Sequence, residues 1–166
     1  MSDALEYAKH FEYRDGGLYW KHNRGSQLCK GKLAGTSNNK GYVMVRIREL
    51  GNAFGAHRII FAMHHGYVPD FVDHIDGNPS NNRIENLRPA TRAENNRNQK
   101  IATHNKSGLK NVSWNKARNK WSVHLSVNNI KQFFGLYEDI ELADLVAMEA
   151  RNKYHGSFAN HGAQYV

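Results

Sequence analysis

At 166 residues the chain can form one compact domain or two small modules, and a hydrophobic share of 40% with many aromatics argues for folded structure with a buried core. The formal charge of +8 and a pI near 9.6 ask for an anionic partner, and the basic excess lies in both halves, 15 Lys+Arg against 10 Asp+Glu in residues 1–100 and 8 against 5 beyond. One cysteine, Cys29, excludes an intramolecular disulfide framework and a cysteine-rich zinc site, no apolar run approaches the roughly 20 residues of a membrane span, and residues 1–10 lack the basic-then-apolar layout of a secretory signal, so a soluble cytoplasmic protein is expected.

Residues 5–20 carry Leu5, Phe11, Tyr13, Leu18, Tyr19 and Trp20 around Asp15-Gly16-Gly17, which predicts a short helix followed by a tight hairpin. Residues 22–39 form a polar loop with Arg24, Lys30 and Lys32. From 41 to 48, Val43, Val45 and Ile47 alternate with Met44, Arg46 and Arg48, the period of a half-buried strand. Residues 51–55 read as a turn, 56–58 as a strand pairing back, and 59–65 as a short helix delivering Ile60 and Met63 to the core. His57 and Arg58 are expected in structural or phosphate-contact roles.

Residues 72–98 hold the chemistry. Val72 and Ile75 flank Asp73 and His74, the run from Gly77 through Asn82 spells turn, and Ile84 and Leu87 return, so the segment reads as a wide hairpin. Thr91 and Glu94 stand at the spacing of a capping box, which puts Asn95 in the first turns of a helix. The order Asp73-His74, Asn86, Asn95 in this frame resembles the HNH nucleases, specifically the Asn-ending branch found in phage and intron homing endonucleases. That resemblance implies a ββα-metal fold in which His74 is the general base, Asp73 and Asn95 hold one divalent ion, Mg²⁺ or Mn²⁺, and Asn86 orients His74. Asn82, Asn96 and Asn98 are the competing candidates if the register is off by a turn. Neighbours on a regular strand point to opposite faces, so a site shared by Asp73 and His74 requires an irregular strand, or one that ends between them.

Residues 99–106 are polar and read as a linker or DNA-tracking arm. Beyond them, 109–114, 120–127 and 130–137 are strand-like, with Trp121, Val123, Leu125 and Val127 on one face of the middle run and Lys120, Ser122, His124 and Ser126 on the other. Asp139 caps an expected helix to about Tyr154 whose apolar stripe is Ala143, Val146, Ala147, Ala150 and Tyr154. The run from Lys106 to Ala159, with FFGLY and a helix ending KYHGSFA, resembles the ethylene-response-factor class of DNA-binding domain, which lays a three-stranded sheet in the major groove and backs it with one helix. Asn111 and Ser113 stand where the plant proteins usually carry Gly and Arg, so the resemblance carries a docking mode and no base-reading rule. Trp114 is expected in the core, with the groove wall as the alternative.

The expected fold class is therefore α+β: a nuclease domain over 1–100 with its ββα-metal core at 70–100, a linker at 101–106, and a DNA-binding domain over 107–166. The expected DNA contacts are Lys110, Lys116, Arg118, Lys120, Ser122, His124, Arg58 and Arg97. The two resemblances together imply a metal-dependent homing-type endonuclease that nicks double-stranded DNA, phage-encoded and acting in the host cell, a monomer with a dimer as the alternative. A non-catalytic DNA-binding regulator built on the same scaffold is the competing reading.

Overall fold

The computed structural model describes residues 3–99, 101, 104–128 and 130–162. The chain is mixed α+β and divides into two units, the first reaching Asn95 and the second beginning at Asn96. Lys100, Ala102 and Thr103 of the expected linker region, and Asn129 of the last sheet turn, lie outside the described residues. Among the described residues no helix is long and apolar enough to cross a membrane.

In the first unit, helix α1 (Asp3–His10) runs into a hairpin of β1 (Phe11–Arg14) and β2 (Gly17–Trp20). The turn residues Asp15 and Gly16 take φ of 45° and 84°, the paired positive values that let a two-residue turn follow the strand twist. A three-stranded sheet follows from β3 (Thr36–Ser37), β4 (Val43–Arg46) and β5 (Ala53–Gly55), in that order. Val45 and Ile47 are fully buried, as their alternation with Met44 and Arg46 requires. Residues 56–58 do not pair back as a strand. β5 has ended at Gly55, and helix α2 (Ala56–His65) already starts at Ala56, because burying Ala56, Ile59, Ile60, Phe61 and Ala62 needs helical spacing from the first of them. Gly66, at φ 78°, closes the helix by donating its N–H to the Ala62 carbonyl.

The ribbon that carries Asp73 and His74 consists of β6 (Phe71–His74) and β7 (Leu87–Ala90), and α3 (Arg92–Arg97) follows after Thr91 alone. Its register is Phe71 with Ala90, Val72 with Pro89, Asp73 with Arg88 and His74 with Leu87. The Phe11, Leu18, Val45, Ile59, Ile60 and Phe61 core reaches Val72 and Leu87, so this ribbon is anchored by one apolar residue from each strand.

The second unit is an antiparallel sheet of β8 (Val112–Asn115), β9 (Lys120–Val127) and β10 (Ile130–Tyr137), with β9 central, covered by helix α4 (Ile140–His155). Val112, Val123, Ala143 and Ala147 form one buried cluster and Leu125, Val127 and Ala150 another, so the apolar stripe of the helix meets the apolar face of the strands. The Asp139 carboxylate accepts from the backbone N–H of Glu141 and Leu142 at 2.6 and 3.0 Å, the cap its sequence position calls for. The first strand begins at Val112 and not at 109, since Asn111 takes φ 71° and breaks the extended run. Asn105 is part of a folded turn: its Oδ1 accepts from the N–H of Ser107 and Gly108 at 2.9 and 3.0 Å, which removes the end of the expected extended arm.

Candidate active site

Three parts of the first unit converge on the turn between β6 and β7. The hairpin tip at Gly16 backs directly onto Asn82 and Arg83, where a Cβ would lie 3.2 Å from the Asn82 carbonyl carbon and 3.0 Å from the Arg83 nitrogen. Tyr13 accepts from the Ile84 N–H through its hydroxyl at 3.1 Å, and the Ser80 hydroxyl donates to the Gly41 carbonyl at 2.8 Å. The residues read from the sequence as plain core and loop are thus what holds the turn of the site in place.

His74 is 5% exposed, and its Nε2 lies 2.9 Å from Asn82 Oδ1. With that amide oxygen accepting, the proton sits on Nε2 and the basic lone pair on Nδ1. Asn82, itself 3% exposed, therefore holds the position at the imidazole that was expected of Asn86. Asn86 organises the loop: its Nδ2 donates to Asp76 Oδ1 and the Asn81 carbonyl at 2.9 and 2.8 Å, and its Oδ1 accepts from the Asp76 N–H at 3.0 Å. Both ends of its amide are engaged there, away from the role assigned by order alone. Burial by itself would raise the Asp76 carboxyl, but donation from the Asn81 side chain, the Asn78 N–H and the Asn86 side chain holds it below its ordinary value.

Asp73 is 5% exposed and faces Arg88, its register partner, whose Nε and Nη2 lie 2.8 and 2.7 Å from Oδ2. The strand stays regular through His74, so no irregularity brings the two side chains to one face: Asp73 lies on the Arg88 side of the ribbon and His74 on the other. The capping box forms as its spacing requires, with Glu94 Oε2 accepting from the Thr91 N–H at 2.8 Å and Thr91 Oγ1 accepting from the Glu94 N–H at 3.2 Å. It fixes the start of α3 and leaves Asn95 half-buried, its N–H bonded to the Thr91 carbonyl at 3.0 Å.

Two aromatic neighbours of His74 were not assigned to the site from sequence. The His57 ring lies 5.1 Å from the His74 ring and 5.4 Å from Tyr42, and Tyr42 lies 5.9 Å from His74. Burial first, then the neighbouring His74 and Arg58, pushes the His57 pKa from 6.5 down to about 3, so this imidazole is uncharged. The one signal in the sequence was the His57-Arg58 pair itself.

Among the expected DNA contacts, Arg58 donates from Nη1 to the Asp70 carbonyl and from Nη2 to the Pro69 carbonyl at 2.8 and 3.0 Å, fastening the entry to β6. Lys110 likewise donates to the carbonyls of Arg97 and Gln99 at 2.8 and 2.6 Å, and burial, with Arg151 beside it, lowers its pKa from 10.5 to about 8. Ser122 is 4% exposed and donates to the Ser113 carbonyl at 2.9 Å, so it is closed off within the sheet. These three side chains are internal fasteners. Lys116 and Arg118 are exposed in the turn between β8 and β9, Lys120 pairs with Glu138 at 3.1 Å, and Arg97 is half-buried at the end of α3. On the sheet face away from α4, His124 stands beside Phe133 with ring centroids 5.2 Å apart. Trp114, expected in the core, is 43% exposed and meets Trp121 edge-on at 4.9 Å, because α4 covers the middle of the sheet and leaves its first strand's end open.

Among the described residues no three His, Cys, Asp or Glu side chains gather at one point. A divalent ion at this ribbon would therefore combine a carboxylate with amide and water oxygens, the hard donor set that Mg²⁺ takes.

Residues 54–97, from β5 through the ribbon to the end of α3, match the family model described as HNH endonuclease. Protein 3.8 of Escherichia phage T7 is 37% identical over 89 residues, which is 54% of this chain and 73% of that protein. No solved structure matches the chain.

Proposed function

The chain belongs to the HNH endonuclease family, and from that premise we propose that it is a metal-dependent endonuclease of homing type that nicks double-stranded DNA through its first unit and binds its target through the second. The observation that carries this reading is the buried His74 imidazole, held at Nε2 by Asn82 and preceded on its strand by the buried Asp73 carboxylate.

His74 is the general base. Asn82 keeps the proton on Nε2, and Nδ1 takes the proton of the attacking water, the acid–base task for which imidazole is the commonest side chain. Among the described residues β6 pairs with β7 alone, and a phosphate lying along its other edge would meet side chains from both faces of the ribbon. Asp73 and Asn95 would hold the divalent ion, which would supply charge neutralisation at the phosphate and at the departing oxygen. Arg88 holds the Asp73 carboxylate in one orientation.

The second unit supplies the address. Among the described residues α4 covers one face of its sheet, and the opposite face and the β8–β9 turn would present His124, Phe133, Lys116 and Arg118 to a groove and its phosphates. Binding should fall steeply as salt rises, since phosphate contacts release counterions. The test is conversion of supercoiled plasmid to the nicked form in Mg²⁺ or Mn²⁺, with His74→Ala beside the wild type. Nicking by the wild type with a loss of at least about 100-fold in the variant is expected, and equal nicking by both removes His74 from the chemistry. Wild-type binding without cleavage of any DNA favours the non-catalytic regulator.

A further inference from the structure

The His57 imidazole touches the proposed base and has no task in the chemistry above. It stands in the first turn of α2, and its ring packs against Gly55. A Cβ at Gly55 would come within 2.8 Å of His57 Nδ1 and 3.3 Å of Nε2, too close to be accommodated without moving the ring. Gly55 has an ordinary φ of −67°, so the backbone does not call for glycine there; the ring does. Among the described residues Nδ1 of His57 is buried with no hydrogen-bond partner, and the ring is in contact with Gly55, Tyr42 and His74.

The Asn82 bond holds His74 at Nε2. The Tyr42 and His57 rings pack on the same imidazole from 5.9 and 5.1 Å, so contact as well as hydrogen bonding limits how the ring can turn. We propose that His57 is a positioning residue for His74: its ring, seated on Gly55 and braced by Tyr42, holds the His74 imidazole in the rotamer that faces the scissile phosphate. The proposal rests on the reading of His74 as the base. Misplacing a reacting group by about 1 Å costs on the order of 100-fold in rate, and that is the scale available to such a wall.

The experiment is single-turnover nicking by the full chain, with rate at saturating DNA and half-saturating DNA concentration measured separately for His57→Ala, His57→Phe, Gly55→Ala and His74→Ala, and for His57→Ala combined with His74→Ala. His57→Ala and Gly55→Ala should each slow the saturated rate by roughly 10- to 100-fold with half-saturation unchanged. His57→Phe, which keeps a ring and removes the unpaired nitrogen, should cut within about threefold of wild type and melt no lower, since a group that acts through contact needs no nitrogen. The double variant should be no slower than His74→Ala alone, because the wall acts only through the base.

A raised half-saturation with an unchanged saturated rate would overturn the proposal by making His57 a DNA contact. A Phe variant as slow as the Ala variant, at an unchanged melting temperature, would overturn it by giving the nitrogen its own task; a Phe variant that does not fold leaves Gly55→Ala to decide. If His74→Ala is inactive while His57→Ala and Gly55→Ala cut normally, the positioning role alone is lost. If His74→Ala cuts normally, the base assignment fails and the positioning role goes with it.

Discussion

Both units bury charged or polar side chains, and they put them to different use. In the second unit Arg151 is fully buried on α4, where it donates to the Lys110 carbonyl, the Asn111 side chain and His161 Nδ1, and pairs with Asp144 at 3.6 Å. That guanidinium ties the segment before β8 and the segment after α4 to one helix. In the first unit the buried groups among the described residues are Asp73 and His74 on β6 and Asn82 in the turn after it, next to the His57 imidazole, whose Nδ1 has no hydrogen-bond partner among those residues. Stability accounts for the first arrangement, whereas the second costs stability and is the kind that active sites retain. A positive net charge is thus a poor guide to where nucleic acid binds, because Arg58, Lys110 and Arg151 are all turned inward onto the chain itself.

The largest effect that separates the two uses is expected at Arg151. Arg151→Ala leaves Asp144 without its ion-pair partner and the Lys110 carbonyl without its donor, and should cost about 3–5 kcal/mol in urea denaturation monitored by tryptophan fluorescence, Trp114 and Trp121 both lying in this unit. A loss under about 1 kcal/mol would mean that the buried cation is not the fastener of the second unit. Next comes Arg88→Ala, which removes the ion pair from the buried Asp73 carboxylate and should cost roughly 3 kcal/mol. Loss of nicking without that loss of stability would show that Arg88 acts on the chemistry and not on the fold.

Acid and alkali should distinguish the units with smaller effects. The folded His57 pKa of about 3 lies below its ordinary 6.5, so between those values the unfolded chain holds the extra proton, and stability falls as pH drops through that window. The folded Lys110 pKa of about 8 lies below 10.5, so stability rises as pH climbs from about 8 to 10.5. Urea midpoints against pH should show the acid limb flattened in His57→Phe and the alkaline limb flattened in Lys110→Met. An unchanged slope in either variant would clear that residue of the titration. The smallest effects are the helix caps: Thr91→Ala and Asp139→Ala should each cost about 1 kcal/mol, the former loosening α3 and the latter α4.

Elements with a local cause could be read from the sequence. The Asp15-Gly16 turn, the alternation at Val43, Val45 and Ile47, the Thr91–Glu94 capping box, the Asp139 cap and the alternation of β9 each depend on neighbours a few residues apart. What escaped depends on distant parts of the chain. Asn82 and Asn86 are both turn asparagines, and nothing local says which amide meets His74; the choice is made by Gly16 and Tyr13, more than sixty residues earlier, which set the path of the turn. His57 reaches the site only because β5 ends at Gly55 and leaves room for the ring. Lys110 looked exposed because its partners are backbone carbonyls, which carry no mark in the sequence.

The central claim is that cutting belongs to His74 in the first unit and address to the exposed cations of the second, and it is tested by measuring the bound and the nicked fraction in the same reaction as DNA is titrated. His74→Ala should bind like the wild type and leave the DNA intact, while Lys116→Ala combined with Arg118→Ala should bind more weakly, with a shallower salt dependence, and nick at the wild-type rate once saturated. Weak binding by His74→Ala together with normal nicking, or a saturated rate abolished by the Lys116 and Arg118 pair, would contradict the account.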